Sequence, residues 1–276
     1  MIVAHSPACV YINGKLSPSQ YIHVGVPQGS VLGPLLFIIY INDLCFLKVN
    51  SKFILFADDS TISSYGKSAS EIISKIESDL VLILNWLKHN RLIININKTQ
   101  AMYINWSQRV KDSEREEINK LTIKCNNNST INFSKEVKIL GFIVDNHLKF
   151  DSQSRSVCKR VNSKTFLLSK SLYLFTNKFK PTLFKLFIQP HFDYCSTITL
   201  YYSNMTHQDR LDKCFARSIK KLLNISILSH TINIQHTLLN KFNIKTRLHR
   251  QFFHFCTFLF NLYAQTITLL SPPIIY

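Results

Sequence analysis

Between residues 25 and 60 the chain passes from a loop broken by glycine and proline into a long apolar stretch, and then into a short apolar strand that stops at two adjacent carboxylates. The loop and stretch read Gly25-Val26-Pro27-Gln28-Gly29-Ser30-Val31-Leu32-Gly33-Pro34-Leu35-Leu36-Phe37-Ile38-Ile39-Tyr40-Ile41-Asn42-Asp43, and the strand ends Phe56-Ala57-Asp58-Asp59-Ser60. Proline is tolerated in a helix only in the first turn, where its missing N–H has no partner to lose. Pro34 therefore fixes a helix start, and the spacing predicts a helix from Val31 to about Lys48. Lys52–Ala57 reads as a buried strand, with Thr61–Tyr65 as its hairpin partner across an Asp58-Asp59 turn. Such a helix runs roughly 25 Å outward, and the strand returns roughly 20 Å. Asp58 is thereby expected near the Pro27–Ser30 loop, on the side of the helix's unpaired N–H groups. An adjacent Asp pair can be a plain exposed turn. Two like charges at the end of an apolar strand are instead best compensated by a cation, and hard oxygen ligands suit Mg²⁺.

The remaining pattern is mixed for about 150 residues. Val10–Ile12 and Tyr21–Val24 read as short strands, with Asn13-Gly14 and Pro18 supplying turns. Ser70–His89 has helical apolar spacing at Ile73, Ile76, Leu80, Leu84 and Leu87, with Ser68 or Ser70 as cap. Leu92–Ile96 and Ala101–Asn105 read as strands, 107–120 as an exposed charged segment, and Leu121–Cys125, Thr130–Phe133 and Val137–Val144 as strands. After Asp151 only helical periodicity remains, over 153–176, 179–190, 206–224, 231–241 and 244–265. This change places a domain boundary at about residue 150.

Charge follows the same division. Of the net +17, residues 1–150 carry 16 Lys/Arg against 12 Asp/Glu, and residues 151–276 carry 17 against 4. A basic second half points to a polyanionic partner, nucleic acid first. The 276 residues are 46% hydrophobic, enough for one or two folded domains. Seven scattered cysteines without a C-x-x-C pair argue for free thiols in a reducing compartment and against a zinc finger. Residues 251–276 lack charge, but His254, Thr257, Asn261 and Gln265 share one helical face. An amphipathic helix on a core is expected there rather than a membrane span.

Several motifs, in order, resemble one family. Gly25–Asp43 and Phe56–Asp59 resemble the template-gripping and metal-binding motifs of reverse transcriptases from non-LTR (LINE-like, jockey-type) retrotransposons. Leu84-Asn85-Trp86-Leu87, Asn90, Leu92, Asn95 and Asn97-Lys98-Thr99 resemble the next palm motif. Ile139-Leu140-Gly141-Phe142, Asp145 and Leu148-Lys149-Phe150 resemble the primer-grip hairpin. Pro190-His191-Phe192-Asp193-Tyr194-Cys195 and Arg210-Leu211-Asp212-Lys213 to Leu222 resemble helices that follow the palm.

The resemblance implies an α+β fold: a partial right-hand polymerase palm (antiparallel sheet with packed helices) over 1–150, then an all-α basic thumb-like region over 151–276. It implies an RNA-directed DNA polymerase using two-metal nucleotidyl transfer, with Mg²⁺ or Mn²⁺ held by Asp58 and Asp59. Pro27, Gln28, Gly29 and Ser30, with Phe56 and Ala57, would line the template and nucleotide site. Lys98 would protonate the leaving pyrophosphate, and Leu140 and Gly141 would form the primer grip. Partners would be an RNA template, a DNA primer and deoxynucleoside triphosphates, without a membrane, in the nucleus or cytoplasm. Phe56 as core, Gln28 as an ordinary loop residue and Lys98 as a solvated turn lysine stand as alternatives. Trp86 and Trp106 read as packing residues. The family takes a further metal-binding Asp from a strand preceding residues 10–24, and this chain has no carboxylate before Asp43. The basic fingers are also missing. The expectation is a chain that is inactive or nearly so by itself, the alternative function being a non-catalytic nucleic-acid-binding remnant of a mobile element.

Overall fold

The computed structural model describes residues 6–22, 29–104, 121–126, 129–202, 204–223 and 242–270. The chain forms two compact units, Met1–Tyr103 with Arg109–Ser134, and Ile104–Gln108 with Lys135–Tyr276. The architecture is mixed, helices with small antiparallel sheets, and each described strand pairs with one partner.

In the first unit, β1 (Ser6–Ala8) pairs with β4 (Gln20–Ile22), while β2 (Tyr11–Ile12) and β3 (Lys15–Leu16) close on each other. The turn between β2 and β3 is Asn13-Gly14, both at positive φ (51° and 79°), the two-residue hairpin geometry that favours this dipeptide. Helix α1 spans Gly33–Ile41, with Pro34 in its first turn and the Ser30 hydroxyl accepting from Gly33 N–H at 3.0 Å. It is shorter than its apolar run: Asn42–Phe46 tighten into a 3₁₀ turn. Asn42 and Asp43 are weak helix formers whose side chains compete for backbone groups.

Strands β5 (Lys52–Phe56) and β6 (Asp59–Ser63) form a hairpin. The expectation of a buried β5 is corrected. A two-stranded sheet covers one face only, so Phe53 and Leu55 pack with Ile41, Leu44 and Ile83, whereas Ile54 and Phe56 are 48% and 63% exposed. Helix α2 (Ala69–His89) opens on Ser68, whose hydroxyl accepts from Glu71 N–H at 3.2 Å, a cap whose loss costs about 1 kcal/mol. One turn of α2 serves two cores. Leu80 packs with Ile123, Cys125 and Ile131 of β7 (Thr122–Asn126) and β8 (Ser129–Asn132), and Ile83 packs towards α1. Each fully buried Leu or Ile contributes about 1.5–3 kcal/mol.

Leu92–Ile96 is not a strand. Residues 96–98 form a 3₁₀ turn because the Asn95 side chain caps Lys98 N–H at 3.3 Å, a local bond that competes with sheet pairing. Ala101 makes a single bridge to Phe133. The segment 107–120 and the expected helix 231–241 lie outside the described residues.

The second unit begins with the hairpin β9 (Glu136–Ile139) and β10 (Phe142–Asp145), joined by Leu140-Gly141 at φ 49° and 86°. The Asp145 carboxylate then accepts from the N–H groups of His147, Lys149 and Phe150 at 3.1, 3.0 and 2.5 Å, which shapes the entry to α3 (Asp151–Ser171). Gln153 of α3 accepts from Ile143 N–H at 3.1 Å and fastens the hairpin to that helix. Helices α4 (Lys180–Phe187), α5 (Gln189–Asp193), α6 (Ser196–Tyr202), α7 (Met205–Leu223) and α8 (Arg247–Leu270) follow. Val157 and Val161 of α3, Phe184 of α4, Phe192 of α5 and Leu211, Phe215, Ile219 and Leu222 of α7 make the core. Phe215 takes Phe184 and Phe192 edge-on, each with ring centroids 5.4 Å apart. Charge pairs fix α8: Arg247 donates to Asp212 at 2.8 and 3.0 Å, and Arg250 to Asp193 at 3.0 Å.

Candidate functional site

The β5–β6 hairpin carries the candidate site at its tip. Phe56 and Asp59 are its last paired residues, and Ala57-Asp58 make the whole turn. The turn is thus one residue earlier than expected, and Asp59 belongs to β6. Ala57 sits at φ 52°, a left-handed conformation that costs an L-residue roughly 1–2 kcal/mol. Such cost is commonly stored where a turn must aim a side chain. Asp58 and Asp59 are both exposed. Among the described residues neither carboxylate has an ion-pair partner. Two adjacent hard-oxygen donors on an exposed turn match what Mg²⁺ takes from a protein, one or two carboxylates with the other positions left to phosphate and water. The set stops there: among the described residues no group of three or more His, Cys, Asp or Glu side chains stands together.

Phe56 presents its ring beside this pair at 63% exposure, so it is not a core residue. Ala57 and Gly29 are exposed as well, and Ser30 is half-buried at the α1 entrance. Gly29 adopts φ 84°, with open space around it. Pro27 and Gln28 lie outside the described residues. Among the described residues no hydrogen bond joins Gly29 or Ser30 to Asp58 or Asp59. Lys98 is exposed on its 3₁₀ turn, and among the described residues its ammonium group has no hydrogen-bonding partner. Trp86 is half-buried against the α1 core, a packing role; Trp106 lies outside the described residues.

In the second unit, Leu140 and Gly141 form a hairpin tip of their own, with Leu140 42% exposed. The Tyr194 hydroxyl donates to the Leu140 carbonyl and pins that tip to the residue after α5. Burial, then the neighbouring Cys195, push the Tyr194 hydroxyl above its ordinary pKa, so it remains a donor at neutral pH.

Sequence reasoning missed Asp79. It is fully buried on α2, and its carboxylate accepts from Asn50 N–H at 2.8 Å, Asn50 Nδ2 at 3.1 Å and Ser51 N–H at 2.8 Å. Burial raises its pKa, yet the bonds from Ser51 and Asn50 outweigh that and hold the group below the usual carboxylate range. Asp79 therefore sets the start of β5, the strand that leads to Asp58. An Asp on the apolar side of an amphipathic helix is the signal that marks it. Basic side chains crowd the surface of α3 and α7: Arg155, Lys159, Lys164, Lys170, Lys213, Arg217, Lys220 and Lys221 are all exposed. Among the described residues no helix is long and apolar enough to cross a membrane.

The sequence model of the family described as reverse transcriptase (RNA-dependent DNA polymerase) matches residues 2–144. The chain is 24% identical over 194 residues to the probable RNA-directed DNA polymerase from transposon X-element of Drosophila melanogaster, covering 67% of this chain and 20% of the relative. It is 25% identical over 227 residues to the RNA-directed DNA polymerase from mobile element jockey of Drosophila funebris, covering 77% of this chain and 23% of that relative. The chain spans between a fifth and a quarter of the length of these curated relatives.

Proposed function

Since the chain belongs to the reverse transcriptase (RNA-dependent DNA polymerase) family, we propose that it is the palm-bearing segment of an RNA-directed DNA polymerase of a non-LTR retrotransposon, with its metal site on the β5–β6 hairpin. The observation that carries this reading is the exposed Asp58-Asp59 pair at a two-residue turn, unpaired by any cation among the described residues and lying inside the matched segment. Functionally the chain divides into a palm segment, 1–150, and a helical thumb-like region, 151–276.

Mg²⁺ or Mn²⁺, when bound, supplies neutralisation of phosphate charge during nucleotidyl transfer. Asp58 and Asp59 provide its protein oxygens. The exposed Phe56 ring and the Ala57 backbone form an apolar floor that orients the nucleotide. Pro27, Gln28, Gly29 and Ser30 position the templating strand, the positive φ of Gly29 allowing backbone to approach closely. Lys98 holds a proton at Nζ for the leaving pyrophosphate, and Leu140 and Gly141 hold the primer strand.

Two-metal transfer needs a further carboxylate beyond an Asp pair. Losing one anionic ligand of a preorganised site costs at least ~10²–10³ in rate. The isolated chain is therefore close to inactive in this reading, while its hairpin still binds metal. Mn²⁺ relaxation enhancement on the full chain, with and without a deoxynucleoside triphosphate, tests the site. Tighter Mn²⁺ binding with nucleotide, abolished by Asp58→Asn, supports it; binding indifferent to Asp58 and Asp59 removes it. Primer extension on an RNA template reads activity separately, and robust Asp58-dependent synthesis would overturn the inactivity.

The basic surface of α3 and α7 favours one further reading, a nucleic-acid-binding remnant that does no chemistry. Such binding ignores sequence and weakens steeply with salt. An affinity for a primer–template duplex that is flat between low and high salt rejects it.

A further inference from the structure

Two thiols meet inside the second unit. Cys158 lies on α3 and Cys214 on α7, the two helices that share the core. The Cys214 sulfur lies 4.0 Å from the Cys158 carbonyl oxygen and 3.6 Å from Asn162 Oδ1, while the Cys158 sulfur lies 3.9 Å from the Arg210 carbonyl oxygen. Asn162 is one turn after Cys158, and Arg210 one turn before Cys214. The cysteines therefore occupy the crossing of the two helices, each sulfur reaching the backbone of the other's helix. Cys214 is fully enclosed and Cys158 keeps 8% of its surface.

Their surroundings make them unequal. The neighbouring Cys214 thiol lowers the Cys158 thiol below its ordinary value against the opposing effect of burial, with help from the positive charges of Arg210, Arg217 and Arg247. The Cys158 thiol in turn, with burial, pushes Cys214 up. Cys158 is thus the more acidic and the less enclosed of the two sulfurs, and Cys214 is the less acidic and fully enclosed one. A nucleophilic cysteine with an adjacent resolving cysteine has this arrangement.

We propose that Cys158 and Cys214 form a redox dithiol whose oxidant is a peroxide and whose product is a disulfide joining α3 to α7. The Cys158 thiolate attacks one peroxide oxygen; the S–O bond forms, the O–O bond breaks, and hydroxide leaves. The sulfur is oxidised to the sulfenic acid while the peroxide is reduced. The Cys214 sulfur then attacks the Cys158 sulfur; the S–S bond forms, the S–O bond breaks, and the departing hydroxide takes the Cys214 proton as water. Counting the proton Cys158 first released, two thiols and one hydrogen peroxide give one disulfide and two waters. A small dithiol reductant, itself oxidised to a disulfide, restores the two thiols. The bond closes a long loop within one unit, so the oxidised unit unfolds at higher temperature than the reduced one.

Peptide mapping of the full chain tests this. The native protein is treated with stoichiometric hydrogen peroxide, denatured, capped with N-ethylmaleimide and digested with trypsin, which releases Ser156–Lys159 and Cys214–Arg217. These two peptides are expected linked, two hydrogens lighter than their sum, and separated by dithiothreitol, together with a raised thermal midpoint. Cys214→Ser is expected to leave a sulfenic acid at Cys158 that dimedone captures. The proposal is overturned if both peptides carry maleimide after peroxide, if Cys158 passes to the sulfinic acid without linking, or if Cys158 links to the exposed Cys9, Cys45 or Cys256 as often as to Cys214. Should Cys214→Ser fail to fold, the map of the unchanged chain decides alone.

Discussion

Phe56 faces Asp59 across a turn that consists only of Ala57 and Asp58, and Ala57 pays for that tightness with a φ of 52°. Glycine adopts this conformation freely, but it also has more freedom to lose from the unfolded chain. Ala57→Gly is therefore expected to change stability by less than about 1 kcal/mol, in the stabilising direction. Ala57→Val, which brings β-branching to the same backbone, is expected to lose about 1–3 kcal/mol. Urea midpoints of the two variants check the pair, and equal midpoints would refute the strain.

Asp79 holds three donors of the Asn50-Ser51 corner from inside the α2 interface. Asp79→Ala strands the buried Ser51 N–H and removes the partner of the less enclosed Asn50 N–H, and about 2 kcal/mol or more is expected to go. Asp79→Asn keeps the size but places donors against donors, so it is expected to recover less than half of that. A loss below about 1 kcal/mol in chemical denaturation would contradict the clamp.

Acid stability follows from the same sign. Asp79 titrates below its ordinary value of 3.8, and so does Asp151, chiefly through the bond from Arg210 at 2.6 Å and then that from Arg155, with burial opposing. A carboxylate whose pKa falls on folding contributes fully above the unfolded value, and the contribution fades as pH drops through the folded one. Burial, then the charges of Lys164 and Arg160, hold His191 below its ordinary 6.5, so stability is expected to begin falling as pH drops below about 6.5, with the carboxylates adding a further decline below about 4. In Arg210→Met the larger part of the Asp151 contribution should be missing from the decline, the part owed to Arg155 remaining. A variant whose acid limb overlays the parent's would remove Asp151 from the account.

The Tyr194 hydroxyl pins the Leu140 carbonyl from outside the hairpin. Tyr194 is about half exposed, so Tyr194→Phe is expected to leave global stability nearly unchanged. Its effect should concentrate at the tip. Amide exchange at Gly141 and Phe142 is expected to quicken severalfold while the α3 amides stay protected. Uniform acceleration across the second unit would mean that the bond is not a local pin.

Short-range chemistry explains which parts were legible in the sequence. Asn13-Gly14 announces its hairpin, Pro34 announces a helix start, and Ser68-Ala69-Ser70-Glu71 announces another, because each effect acts within four residues. The apolar run makes α1 look longer than it is, since it does not reveal where Asn42 and Asp43 tighten the chain. Leu92–Ile96 alternates like a strand and is not one, because the Asn95 cap outweighs apolar alternation. Nothing in an alanine signals positive φ, so the turn was placed one residue late. Asp79 and the Cys158–Cys214 crossing depend on partners 28 to 56 residues away, a range that pattern reading does not reach. At the candidate site the residue types and their order were legible, and their exposure was not: β5 read as buried, although Ile54 and Phe56 face outward.

The pairing of strands has a consequence for synthesis on the ribosome. β2 with β3, β5 with β6, β7 with β8 and β9 with β10 each close on the next strand in the chain, and closures of that length take microseconds. Helix α3 is different, because its Val157 and Val161 share a core with residues of α4, α5 and, above all, α7, which are not yet made when α3 emerges. At ~5–20 residues per second, the roughly 50 residues between their ends delay that core by several seconds. Throughout that interval the nascent chain shows a finished set of hairpins and one uncovered apolar helix stripe, which makes residues 151–171 the segment a chaperone would meet first.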